Sequence, residues 1–232
     1  MGTMFGPLVT VSATYGAGGS VIAPRLADAL GLPFLDRLIS ADMSEEAARR
    51  RAAGADEGAG SPDPPSSSEG LHEDEQAATP AGRFLSYFAR AASVGALIAP
   101  DAVVDDDETI RRRTEDGLRH LAAGAPGVLL GRAGAVVLGS RPGAYHVRLD
   151  GPVERRVAWA ASIEGLDLGA VKRRQIEADK ARSQFVKRLF RADPADPRLY
   201  HLVIDPTVLG VDAAVQILRS AAGAFFAANP AT

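Results

Sequence analysis

Apolar and β-branched residues gather in short runs that alternate with stretches of helical spacing. Leu8-Val9-Thr10-Val11-Ser12 is the first such run and predicts a strand. After a glycine-rich turn, Val21, Ile22, Leu26 and Leu30 fall close to a 3.6-residue period, so Ser20 to Leu30 is predicted as a helix that Gly31 and Pro33 end. Pro33 to Asp36 reads as a second short strand. Gly127 to Gly131, Tyr145 to Leu149 and Leu202 to Asp205 read as further strands, the first running into Arg132. Helices are predicted over Asp105 to Ala122, Pro152 to Ser162, Asp167 to Arg191 and Val211 to Phe226. Strands alternating with helices imply a parallel sheet covered on both faces.

Between the second strand and the Asp105 helix the pattern weakens. Ala41 to Ala53 reads as a polar helix and Arg83 to Ile98 as another. Residues 54–80 are rich in Gly, Ser, Pro and acid and bury almost nothing, which predicts a mobile loop. The four acids Asp105, Asp106, Asp107 and Glu108 stand where a helix N-terminus favours negative charge. A nucleotide-metal role is the alternative reading for them.

Composition narrows the chemistry. The chain has 232 residues, which suits one domain with an insertion. It has no Cys, which excludes disulfides, thiolate metal sites and cysteine nucleophiles. Its 4 His show no i,i+4 pairing for a helical metal site. No apolar run of spanning length and no basic leader are read in it, so a soluble cytoplasmic protein without a membrane partner is expected. Net charge is −3, no case for nucleic-acid binding. Of the 26 basic residues only Lys172, Lys180 and Lys187 are lysines. Any anion site before residue 172 must therefore use Arg, backbone N–H groups or a helix end.

That restriction bears on the first turn. A strand that enters a helix through a glycine-rich turn aims several N–H groups and a positive helix end at one point, which is a phosphate site. The P-loop pattern is G-x-x-x-x-G-K-[ST]. Here Ala13-Thr14-Tyr15-Gly16-Ala17-Gly18-Gly19-Ser20 matches at Gly18 and Ser20, with Ala13 in place of the first Gly and Gly19 in place of the Lys. A plain connecting turn is the alternative.

From its first strand to its last helix the chain resembles the cytidylate kinase-like family of P-loop proteins. That family's loop, similar to Ser-Arg-Glu-Tyr-Gly-Ser-Gly-Gly-Arg, also lacks the lysine; Ser12 to Ser20 resembles it without its arginines. Leu32-Pro33-Phe34-Leu35-Asp36 resembles the segment beside the acceptor nucleotide, with Asp36 either facing the acceptor or lying on the surface. Leu129-Leu130-Gly131-Arg132-Ala133-Gly134 resembles the Gly-Arg-Asp of cytidylate kinases and the Gly-Arg-Gly of the kinase-like members, with Ala133 in place of the aspartate. Arg132 directly follows a buried strand and must pair with a phosphate or a structural carboxylate. Arg173 to Arg182 resembles the lid: Asp179 and Arg182 match its Asp-x-x-Arg, while Gln175 stands where a lid arginine belongs. Leu202 to Val211 resembles the last strand and the turn that helps bracket adenine.

The resemblance implies one P-loop kinase-like α/β domain over residues 1–232. It implies three layers, a central parallel sheet flanked by helices, a helical acceptor-binding insertion over 40–104 and a lid over 172–191. It further implies phosphoryl transfer from ATP with Mg2+ to a nucleoside monophosphate, CMP or dCMP. Tyr15, Gly16, Ala17, Gly18, Gly19 and Ser20 would hold ATP phosphates, and Ser20 the metal. Asp36, Arg132 and Asp179 would face the acceptor, and Arg174, Lys180 and Arg182 would act on the transferred group. A nucleotide sensor or interaction module without catalysis, and a P-loop kinase of another small acceptor, are the alternatives.

Overall fold

The computed structural model describes residues 5–35, 107–123, 126–131 and 133–229. Asp36, Arg132, the 40–104 insertion and the 54–80 loop lie outside the described residues. Four parallel strands form the sheet: β1 (Leu8–Ala13), β2 (Gly127–Leu130), β3 (Ala144–Leu149) and β4 (Leu202–Ile204), in the order β2-β1-β3-β4. The segment predicted as a second strand contributes one parallel bridge, Phe34 to Val128, on the outer side of β2. Two backbone bonds flank it, Leu35 N–H to Val128 O at 3.0 Å and Val128 N–H to Pro33 O at 2.9 Å. Pro33 has no N–H to extend the ladder.

Central β1 and β3 are buried on both faces, as a parallel sheet requires. Val9, Val11, Val128, Leu130, Val147 and Leu149 point to one face. There they meet Ile22 and Leu26 of α1 (Gly19–Leu30) and Ala214 and Leu218 of α7 (Val211–Ala228). Leu8, Leu129 and Ala144 point to the other face. Leu118 and Ala122 of α2 (Asp107–Ala122) pack there, with Leu138 just after α3 (Gly134–Val137). The three-layer arrangement follows from this alternation.

Two helices stand at the C-terminal edge of the sheet. α4 (Val153–Glu164) leaves β3, and α5 (Leu168–Phe190) returns against it. Asp167 starts α5 by accepting from the N–H groups of Gly169 and Ala170. The stretch predicted as basic and helical is one continuous 23-residue helix. Asp107 and Glu108 occupy the first turn of α2, where Asp107 pairs with Arg188 of α5 and Glu108 with Arg111 and Arg112.

Three short elements have no counterpart in the sequence reading: α3, a 3-10 turn over Pro197–Leu199, and α6 (Pro206–Leu209), whose N-cap is Asp205 rather than a strand residue. Four residues are too few to show a helical period. One helix bears on the expectation of no spanning-length apolar segment. Among the described residues α7 is long and apolar enough to cross a membrane by length and composition. It carries Asp212 and Arg219, and one face, Ala214, Val215, Leu218 and Ala222, is buried in the core.

His146 on β3 is 3% exposed, its Nδ1 2.7 Å from Thr10 Oγ1. The His201 ring stacks on it at 5.2 Å, and His201 Nδ1 accepts from the His146 N–H at 2.8 Å. Burial first, and the charge of His201 second, push the His146 pKa down to about 4. A base depressed below its unfolded value of about 6.5 stabilises the fold fully above that pH and loses the contribution as pH falls towards 4. The shift corresponds to roughly 3 kcal/mol. Urea unfolding at pH 7 and pH 4 should show wild type losing about that much more stability than H146Q. Equal losses would mean that His146 does not titrate as its burial requires.

Candidate active site

Between β1 and α1 the chain turns through Thr14 to Gly18. Thr14 continues the ladder through its N–H to Leu149 O at 3.1 Å, and the Ala17 N–H closes back onto Thr14 O at 3.1 Å. Gly16 and Gly18 both have left-handed backbone, φ +76° and +74°. Close approach adds a second reason for glycine: a Cβ on Gly16 would lie 2.3 Å from Arg156 O, and one on Gly18 2.6 Å from the Trp159 ring. Gly18 is the N-cap of α1, with no side-chain cap and no acid in the first turn. The first N–H groups of a helix have no intrahelical acceptor. Here their positive end stays uncompensated by side chains at the C-terminal edge of a parallel sheet, where such sheets bind ligands.

Ala13 and Gly19, the two departures from the P-loop pattern, meet each other. A Cβ built on Gly19 would lie 2.6 Å from Ala13 Cβ and 3.2 Å from Leu130 Cδ1. The methyl group at 13 occupies the space that a side chain at 19 would need. The missing lysine is thus sterically excluded by its neighbour across the turn.

The loop's other side is fastened to α4 and α5. The Tyr15 N–H donates to Asp179 Oδ1 at 2.8 Å, and Tyr15 O accepts from Arg156 Nη1 at 2.6 Å. Arg156, 4% exposed, also donates to Gly151 O at 2.8 Å and to Asp179 Oδ2 at 2.9 Å. Asp179 further accepts from Gln175 at 2.8 Å and Arg182 at 3.1 Å. The Tyr15 hydroxyl donates to both Glu164 oxygens, at 2.8 and 2.9 Å. Glu164 also faces Arg174 at 3.4 Å, its side chain only 7% exposed. Burial, and then the Glu164 carboxylate, raise the phenol far above its usual range, so it remains a proton donor. Below the loop, Thr14 Oγ1 donates to Asp150 Oδ1 at 2.9 Å, and Arg148 pairs with Asp150 Oδ2 at 2.7 Å.

The fold therefore brings Tyr15 to Ser20, Asp179, Arg174 and Arg182 to one edge. Lys180 lies on α5 with its side chain exposed. Asp36 and Arg132 lie outside the described residues; the Gly131 N–H bonds Val11 O at 2.8 Å. Ala133 has left-handed backbone, φ +57°, at a position where the kinase-like pattern has glycine. Arg156, Glu164 and Asp150 were not singled out from the sequence. Asp150 carried one usable signal, its place directly after a buried strand.

The profile of the cytidylate kinase-like family matches residues 8–207. The chain belongs to the cytidylate kinase-like family. It is 28% identical to a cytidylate kinase from Methanopyrus kandleri over 127 residues, 51% of this chain and 66% of that protein. It is 29% identical to a uronate isomerase from Corynebacterium glutamicum over 109 residues, 47% of this chain and 21% of that protein. The chain thus spans less than two thirds of the length of either relative. A crystal structure of an uncharacterized protein from Eubacterium ventriosum has the same fold, with a TM-score of 0.58 at 15% identity, covering 94% of this chain and 98% of that one.

For this member of the cytidylate kinase-like family, the contact between positions 13 and 19 makes a sharp prediction. G19K alone should lower the thermal midpoint, because overpacking typically costs about 1–3 kcal/mol. The double variant A13G/G19K should recover most of that loss. Thermal unfolding of the two variants decides it: equal midpoints would show that Ala13 does not exclude the lysine.

Proposed function

We propose that the protein transfers the γ-phosphoryl group of ATP to a nucleoside monophosphate, with CMP or dCMP the acceptors its family favours. One observation carries this reading: an uncapped helix N-terminus, reached through two left-handed glycines at the strand edge, with an arginine-bearing helix fastened beside it. Phosphoryl transfer needs positioning and charge neutralisation rather than covalent catalysis. In this reading the backbone N–H groups of Gly16, Gly18, Gly19 and Ser20 hold the donor phosphates, while the Ala17 N–H closes the turn onto Thr14 O. The Tyr15 N–H, expected to join them, is engaged by Asp179 in this conformation.

No group of three or more His, Asp or Glu suited to a metal occurs among the described residues. Mg2+ would come as a partner of the nucleotide, with the Ser20 hydroxyl the side chain that would help hold it, and would neutralise phosphate charge. Arg174 and Arg182, with Lys180, are proposed to cover the transferred group. Both arginines face carboxylates in this conformation, Glu164 and Asp179, and would exchange them for phosphate oxygens. Asp36, Arg132 and Asp179 are proposed to face the acceptor.

A nucleotide sensor without turnover is the second reading. The exclusion of lysine at position 19 favours it, because the loop then contributes no charged side chain to the β- and γ-phosphates. Calorimetry with ATP, with and without Mg2+, followed by single-turnover phosphorylation of each nucleoside monophosphate, tests both. We expect weak, Mg2+-dependent and salt-sensitive ATP binding and transfer to CMP or dCMP. R182A should lose about 10³-fold in turnover. Its fold should change little, because Asp179 keeps Arg156, Gln175 and the Tyr15 N–H. Binding without transfer to any monophosphate would establish the sensor, and tight Mg2+-independent binding would contradict the loop chemistry.

A further inference from the structure

Arg156 is among the most deeply buried cations of the described residues, and none of the chemistry above uses it. Its guanidinium is spent on three fixed points. Nη1 donates to the Tyr15 carbonyl at 2.6 Å, inside the phosphate loop. Nε donates to the Gly151 carbonyl at 2.8 Å, where β3 hands over to α4. Nη1 also meets Asp179 Oδ2 at 2.9 Å, on the lid helix. Asp150 Oδ1 lies 3.7 Å from Nε, a second carboxylate for the buried charge. The backbone of the same residue closes the arrangement, since Gly16 packs against the Arg156 carbonyl so tightly that no Cβ fits.

We infer that Arg156 is a positioning residue that holds the glycine turn in its phosphate-binding shape and ties that shape to the placement of the lid helix. The backbone of Tyr15 is gripped on both sides, its N–H, in the Thr14–Tyr15 peptide, by Asp179 and its carbonyl, in the Tyr15–Gly16 peptide, by Arg156, and Asp179 and Arg156 grip each other. The orientation of the Tyr15 carbonyl bears on the Tyr15–Gly16 peptide plane, and so on the direction of the Gly16 N–H. A loop whose phosphate contacts are backbone N–H groups depends on that direction more than one supplemented by lysine. A planar fork reaches separate acceptors at set angles, and an ammonium on a flexible stem does not replace it. The inference rests on the proposal that this loop binds nucleotide phosphate, but its structural half can be read without nucleotide.

The test uses the full chain as wild type, R156M and R156K. Hydrogen exchange without nucleotide is followed at residues 14–20, with α7 as an internal reference. ATP affinity and the separate kcat and KM for ATP are then measured with Mg2+. We expect the hydrogen-bonded loop amides of folded R156M, those of Thr14, Tyr15 and Ala17, to exchange at least tenfold faster relative to the amides of α7, over and above any shared loss of global stability. ATP affinity should fall at least tenfold, chiefly through KM, with R156K between R156M and wild type. A merely structural arginine would lower the thermal midpoint and leave loop exchange relative to α7, and nucleotide affinity, unchanged; that result overturns the inference. Should R156M fail to fold, R156K decides in the same way, and wild-type loop protection there overturns it. If the wild type binds no ATP, the nucleotide reading falls, and loop exchange alone decides whether Arg156 positions the turn.

Discussion

Tyr15 is held at every polar atom: its N–H by Asp179, its carbonyl by Arg156 and its hydroxyl by Glu164. The rest of the candidate site hangs on this one residue. A glycine turn that must supply backbone N–H groups in a set direction is flexible by composition, since glycine has the most conformational freedom to lose. Fastening the residue just before the first glycine removes that freedom without filling the turn with side chains. Arg156 and the Glu164 carboxylate are buried, Asp179 is half-buried, and buried charges are tolerable only in pairs. Removing one partner of such a pair costs about 3–5 kcal/mol. Arg156 and Asp179 therefore join the turn to α5.

Ala13 and Gly19 set a second constraint on the same turn. With a methyl group at 13 there is no room for a side chain at 19, and no lysine precedes Lys172 anywhere in the chain. Charge that other P-loops place inside the loop must come from outside it. Within reach are Arg174 and Arg182, both on α5 and both paired with carboxylates. Gln175, buried where a lid arginine was expected, binds Asp179 instead and adds to the fastening. Cation supply and loop rigidity thus meet on the same helix.

Local pattern made the strand–turn–helix unit, the parallel sheet and the long basic helix legible, because each shows a period or a glycine signal within about ten residues. It did not reveal α3 and α6, which are shorter than one period allows. It also did not reveal what grips Tyr15. Arg156 is 141 residues away in sequence and Asp179 is 164 away, and neither distance leaves a local trace. Asp179 and Arg182 were found only through a spacing shared with a family. That spacing pointed to a nucleotide, whereas the geometry adds the Tyr15 N–H, Arg156 and Gln175 as their neighbours. His146 shows the same limit: a histidine in a strand run gave no hint of the stacked His201 beside it.

The central claim is that backbone N–H groups of the glycine turn, and not side-chain cations within it, receive the nucleotide phosphates. Titration of isotope-labelled protein with Mg2+ and ATP, followed through the backbone amide resonances, tests it most directly. The account predicts the largest downfield amide proton shifts at Gly16, Gly18, Gly19 and Ser20, with smaller changes along α5 as Arg174 and Arg182 change partners. Saturable binding that leaves the amides of Gly16, Gly18, Gly19 and Ser20 unmoved would contradict it.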